Sequence, residues 1–283
     1  MNIRWTPLRA GLARGWIETK HTLRSYEGLA GFLFPSVIAM VVIFFLRGVS
    51  VPGAPVSLGS MSLPSLIGLN IAFGGLIGVV QTLTVEREDG TLLRAKTLPG
   101  GMTGYLVGVI TETSIFVIFG AVLVLVPGLI GFEGVAFDGP GSWLMLAVVL
   151  VLGLVATMPI GAVLGSLFSN PRMLGLIMMP VMGLVAISGI FYPLGQMPPL
   201  LQGIGQIFPI YWLGLGMRSA LLPSDMAAAE IGGSWRYLET FGVLGLWAVL
   251  GLVLAPILLR RMARRESGSA VAERRERAMQ RIT

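Results

Sequence analysis

Apolar and charged positions fall in long blocks along this chain, not at the short periods of a soluble fold. A bilayer's hydrocarbon core takes a helix of about 20 apolar residues, and six stretches approach or exceed that length: residues 29–46, 63–83, 104–130, 143–168, 173–191 and 237–259. Charge marks several edges: Arg47 ends the first, Glu86 follows the second, and Arg260 and Arg261 end the sixth. The third carries one acid, Glu112. The pattern predicts an all-α, polytopic membrane protein with six transmembrane helices. The first apolar run follows a long charged segment and has no small-residue cleavage site after it, so it reads as a retained span and not a signal peptide.

Two segments are apolar without spanning. In residues 1–28, Thr6 followed by Pro7 reads as a helix N-cap and first turn. Trp5, Leu8, Leu12, Trp16, Thr19 and Leu23 recur at three- and four-residue steps and share one face, with Arg9, Arg14, Glu18 and Arg24 turned away. Such a helix is expected to lie along the membrane surface; the plainer alternative is a topology anchor. Residues 192–235 open with Pro193, Pro198 and Pro199. Leu200, Leu201, Ile204, Ile207, Phe208 and Tyr211 then follow at helical spacing, broken by Pro209. Interrupted backbone is tolerated at membrane depth only when packed on protein or lining a wet cavity. Two short re-entrant helices dipping into the outer leaflet are expected, a surface loop being the alternative. Pro159 and Pro180 are expected to kink their helices.

Charge then sets orientation. All Lys and Arg except Arg47, Arg218 and Arg236 fall on one side of a six-span topology, the side that also holds both termini. The positive-inside rule makes that side the cytoplasm, placing the chain in the cytoplasmic membrane. The net charge of +6 is explained by these helix ends, with no need of nucleic acid. Hydrophobic residues make up 54% of the chain and charged ones only 12%, so the bilayer must solvate much of it. The chain has no Cys and a single His, His21, which argues against a metal centre of the usual ligands. The remaining Ser and Thr have no evident base, which argues against an intramembrane enzyme.

The most informative loop is cytoplasmic, residues 84–103. Asp89-Gly90 reads as a turn. Thr91 is placed to cap a short helix over residues 92–98 that ends before Pro99. Leu92, Leu93 and Leu98 would give it apolar knobs flanked by Arg94 and Lys96, suited to a partner's groove; an ordinary solvated loop is the alternative. Glu86-Arg87-Glu88-x-Gly90-Thr91-Leu92, followed by Pro99, resembles the coupling-loop signature of ABC-2 type transporter permeases. Ser188-Gly189-Ile190-Phe191-Tyr192-Pro193, then Met197-Pro198, Phe208-Pro209-Ile210-Tyr211 and Met217-Arg218, resembles that family's second signature. The six spans and the N-terminal helix also fit, so the resemblance covers nearly the whole chain.

That resemblance implies three parts: a connecting helix over residues 1–28, a transmembrane domain over 29–259, and a basic cytoplasmic tail over 260–283. It implies that Glu86, Arg87, Glu88, Gly90, Thr91, Leu92, Leu93, Arg94 and Pro99 serve coupling to a separate ABC ATPase subunit. It implies an external gate in the hairpin 192–218, with Phe191, Tyr192, Pro193, Pro198 and Pro209. The chain has no P-loop of its own, so it is expected to bind no cofactor and to leave ATP and Mg to the partner. Half a pore calls for a second permease copy or homologue. Gly74/Gly78, Gly104/Gly108 and Gly161/Gly165 offer close helix contacts. Phe73 with Met178 and Met182 suggests an adaptable substrate cavity, ordinary packing being the alternative.

The expected function is an ATP-driven exporter permease moving a hydrophobic or amphipathic substrate, an antibiotic or other drug among the candidates. The alternative is an ion-coupled secondary multidrug transporter using Glu112, since an intramembrane acid is a functional candidate by default. A structural role for Glu112 near headgroup water is the third option. No internal repeat of the kind common in secondary transporters is visible.

Overall fold

The computed structural model of this protein describes residues 6–50, 56–98, 100–167, 174–190 and 194–265. All the longer elements are helices: α1 (Thr6–Arg24), α2 (Tyr26–Phe45), α3 (Leu58–Phe73), α4 (Val79–Glu88), α5 (Thr91–Lys96), α6 (Gly101–Gly131), α7 (Pro140–Leu167), α8 (Leu174–Ala186), α9 (Pro199–Ile207), α10 (Pro209–Leu221) and α11 (Tyr237–Arg265). No strand ladder occurs among the described residues, only an isolated bridge between Ser50 and Ser57.

Four continuous stretches have the length and composition to cross a membrane: Leu58–Glu88, Gly101–Gly131, Pro140–Leu167 and Tyr237–Arg264. They correspond to the second, third, fourth and sixth stretches read from the sequence. The first and fifth appear as shorter apolar helices, Ser36–Gly48 within and beyond α2, and Gly175–Ala186 within α8. The described part of α8 has 13 residues, about 20 Å at helical rise. Beyond it Ser188 turns back on Val185 through its hydroxyl, and Gly189 takes a φ of 63°. That left-handed residue stops a helix the apolar composition alone would have carried further.

The first long stretch is the axis of the fold. α3 runs into a π-helical turn, Gly74–Gly78, and continues as α4. A π turn inserts one residue into the helical register, and such turns concentrate at functional sites. Here glycines fit it between neighbours: a Cβ on Gly75 would collide with the Thr157 hydroxyl of α7, and one on Gly74 with Val117 of α6. Around this axis stand two wings, α1 with α6 and α7 with α11.

α10 fills the upper core. Apolar except for Arg218 and Ser219, it buries Ile210, Tyr211, Trp212, Leu213, Leu215, Met217 and Leu221 among α3, α7 and α11, as a mostly apolar helix must. Its Leu213 backbone lies so close to α3 that a Cβ on Gly68 would stand 2.9 Å from it. Between apolar helices in lipid the hydrophobic effect gives little, and small residues that permit close backbone approach take its place.

Candidate functional site

Three groups of residues carry the sequence-predicted roles, and the helices above position each. The first is the α4–α5 turn. Gly90, at φ 80°, is the N-cap of α5, and the Asp89 carboxylate accepts from the Thr91 N–H at 2.8 Å. The cap is therefore an aspartate turn around a left-handed glycine, one residue before the expected Thr91. The helix spans Thr91–Lys96, shorter than the expected 92–98. Pro99 lies outside the described residues.

The apolar knobs divide. Leu92 is buried at 1% exposure and belongs to the main core, Leu93 is half-buried, and Leu98 stands out at 64%. Leu92 thus anchors the helix and is not a docking knob as expected. The outward face consists of Leu93, Arg94, Lys96 and Leu98, with Arg94 donating to the Thr91 hydroxyl at 3.2 Å.

Glu86 and Arg87 also turn inward. Arg14 of α1 donates to Glu86 at 2.5 Å and stands over the Tyr105 ring of α6, 4.9 Å from its centroid. Three helices meet in that one cluster. Arg87, 9% exposed, points at the last carbonyls of α7, 3.5 Å from both Gly165 and Ser166, where a cation complements the helix C-terminus. Glu88 closes α4, half-buried.

α1 docks through a face the sequence reading overlooked. Gly11 and Gly15 lie against Gly104 and Gly108 of α6; Cβ atoms on them would come within 2.5 and 2.7 Å of those backbone oxygens. Thr19 continues this buried row, its hydroxyl donating to Gly15 O at 2.8 Å. Leu12 and Trp16 of the predicted stripe point away from the protein, 53% and 52% exposed. The recurring four-residue glycine step on both helices was the available signal. Gly104/Gly108 therefore packs within the chain.

The second group is a slot of about 780 Å³ between α1, α2, the α3–α4 axis and α6. From Asn70 to Glu86 it follows about 24 Å of the axis. Among the described residues, five carboxylates line it, from Glu18, Glu27, Glu86, Asp89 and Glu112, with no Lys or Arg in the lining. Phe73, Ile77, Phe116 and Val117 make its apolar wall. Phe73 lies in this lining, and Met178 and Met182 do not. α8 instead meets Phe73 through Ile177 and Val181, and Met182 is 47% exposed.

The third group is the α9–α10 hairpin. Phe191, Tyr192 and Pro193 lie outside the described residues. Pro198 is the extended N-cap of α9, and Pro209 opens α10 directly after the extended Phe208. Proline has no N–H to satisfy the carbonyls ending α9, and two indoles do so: Trp212 Nε1 donates to Gln206 O at 2.7 Å and Trp247 Nε1 to Ile207 O at 2.8 Å. Arg236, with the unfavourable φ of 47°, donates to the Gln206 side chain at 2.6 Å and stacks on Trp212.

Beneath them Arg218 and Glu230 form a buried ion pair at 2.6 Å, with side chains 4% and 3% exposed. Arg218 Nη1 donates to Ser65 Oγ on α3 at 2.8 Å. Among the described residues, Arg218 Nη2 and Glu230 Oε2 have no hydrogen-bond partner. The motif reading included Arg218 but missed Glu230, which lies 12 residues on in a loop without helical periodicity.

Among the described residues no cluster of His, Cys, Asp and Glu is arranged to hold a metal ion. No curated protein matches the chain. Residues 17–255, from the middle of α1 nearly to the end of α11, match the family described as ABC-2 family transporter protein. With that match over most of its length and its apolar spanning helices, the chain is a multi-pass membrane protein that belongs to the ABC-2 transporter family.

Proposed function

We propose that this chain is the permease subunit of an ATP-driven exporter, working beside a separate ATPase subunit. The observation that carries this reading is the α5 helix, whose outer face is largely exposed while its base and the end of α4 before it are tied to the core, to α7 and to α1. Leu93, Arg94, Lys96 and Leu98 face outward. Leu92 roots α5 in the core, Arg87 reaches the end of α7, and Glu86 reaches α1 through Arg14. A push on α5 from a closing ATPase would pass to α7 and α1 together. ATP and Mg²⁺ belong to that partner.

In this reading α2 and α8 complete six crossings, both termini lie in the cytoplasm, and the slot opens to that side. α9 and α10 re-enter the outer leaflet and gate the exit, supported by the enclosure of α10 among spanning helices. Two copies form the pore, their contact including the exposed apolar face of α8. The carboxylates of the slot beyond those facing Arg14, together with its aromatic wall, suit it to an amphipathic molecule carrying positive charge, and alternating access then follows from different affinity in two states.

The test is co-purification with the co-expressed ATPase subunit. Leu98→Asp combined with Arg94→Glu, both exposed, should abolish it while leaving thermal unfolding unchanged. Retained co-purification would refute the docking assignment. Glu112 in the slot also favours a second reading, ion-coupled transport. Uptake into vesicles driven by a proton gradient without ATP would support that one and exclude the first.

A further inference from the structure

A second hollow lies on the opposite side of α6 from the α1 junction. It is a half-open groove of about 450 Å³, floored by Val79 and Leu83 of α4, with α6 on one side and α7 with α11 on the other. Ser114 is the one polar side chain in its lining, and that hydroxyl is turned inward toward Met158 Sδ at 4.0 Å. Along α6 the groove extends from Leu106 to Ile118, about 18 Å at helical rise, against about 15 Å for one leaflet of hydrocarbon. Along α11 it ends at Leu259.

The next residues on α11 are Arg260 and Arg261, with Arg264 a turn further, all three exposed. Arg260 follows groove-lining Pro256 by one turn, and Arg264 follows Arg260 by another. α5, with Arg94 and Lys96 exposed, packs against α11 as well. An apolar channel one leaflet long thus ends in a basic rim at headgroup level. Empty, its walls would forfeit dispersion contacts that an acyl chain restores.

We propose that this groove is a binding site for an anionic phospholipid, one acyl chain lying between α6 and α7 and the headgroup held by Arg260 and Arg264. The apolar walls accept any acyl chain, and the arginines select the negative headgroup. Each basic residue near an anionic headgroup is worth about a fivefold change in affinity. The site depends only on the membrane embedding, and it needs neither ATP nor the ATPase.

The test uses the full chain, purified without the ATPase, delipidated in detergent, and offered equal phosphatidylglycerol and phosphatidylcholine of the same chain length. Native mass spectrometry counts the lipids retained. The wild-type chain should retain phosphatidylglycerol preferentially. Arg260→Gln with Arg264→Gln should lower that preference about 25-fold. Val155→Trp, filling the groove from a wall position that is 36% exposed, should lower retention of both lipids. Equal retention of the two lipids by the wild type, an unchanged preference in the arginine variant, or an unchanged lipid count in Val155→Trp would each overturn the proposal. With no ATPase present, such a failure leaves the export reading untouched.

Discussion

The glycine seam between α1 and α6 makes a quantitative prediction. In Gly11→Ala the new Cβ would lie 2.5 Å from Gly104 O, and in Gly15→Ala 2.7 Å from Gly108 O. Both neighbours are backbone atoms on a long helix, so neither can turn aside as a side chain would. The two helices must separate by about 0.7–0.9 Å to restore ordinary contact, and a gap of that size forfeits a quarter to a half of each dispersion contact along the seam. Overpacking of this kind costs roughly 1–3 kcal/mol per site. The separation also stretches the 2.5 Å contact between Arg14 and Glu86, so the double variant should sit at the upper end of the single-site range or beyond it. The assay is hydrogen exchange by mass spectrometry in nanodiscs. A loss of about 3 kcal/mol corresponds to exchange roughly 100-fold faster over residues 6–24. Gly141→Ala is the control, because a Cβ there meets nothing within 4 Å. Unchanged protection of α1 in the double variant would show that the seam is looser than its geometry implies, and would refute the reasoning.

Two further predictions concern burial. Replacing only one member of the Arg218–Glu230 pair leaves an uncompensated charge and should cost roughly 3–5 kcal/mol, whereas Arg218→Met with Glu230→Leu should cost less than either single change; an additive double variant in thermal unfolding would contradict this. Leu92→Ala should cost about 2–5 kcal/mol through the cavity it leaves, and Leu98→Ala less than about 0.5, so equal shifts in apparent Tm would mean that α5 is not seated as described.

The sequence showed the helical class, the long apolar stretches and the turn at Asp89-Gly90, because each has a local signal: apolar length, charge at the edges, or a residue that favours a left-handed backbone. It did not show which leucine of α5 faces inward. In a six-residue helix that is decided by the neighbours it packs against, and Leu92 and Leu93 look alike from the chain alone. The packing of α1 on α6 was not legible for a related reason. Hydrophobic periodicity points to the leucines and tryptophans, but the closest contact with α6 is made by residues without side chains. The acids of the slot come from α1, α2, α4 and α6 and from the α4–α5 turn, separations no spacing rule connects. Only Glu112 was conspicuous, as a lone carboxylate in an apolar stretch. The point where α8 stops was hidden as well, since composition continues past the point where Gly189 turns the backbone.

The π turn at Gly74–Gly78 behaves in the fold as a dislocation does in a crystal. It is a single surplus unit confined to a few positions, with regular order restored on either side. Perfect rods transmit torque over their full length, whereas a rod with such a defect can take up twist where the extra unit sits. α4, attached to α5 and α1, is therefore set one residue out of register with α3, which is pinned to α10 through Gly68 and Arg218. The fault lies in the wall of the slot, so twist absorbed there would appear first as a change in the shape of the space that the substrate is proposed to occupy.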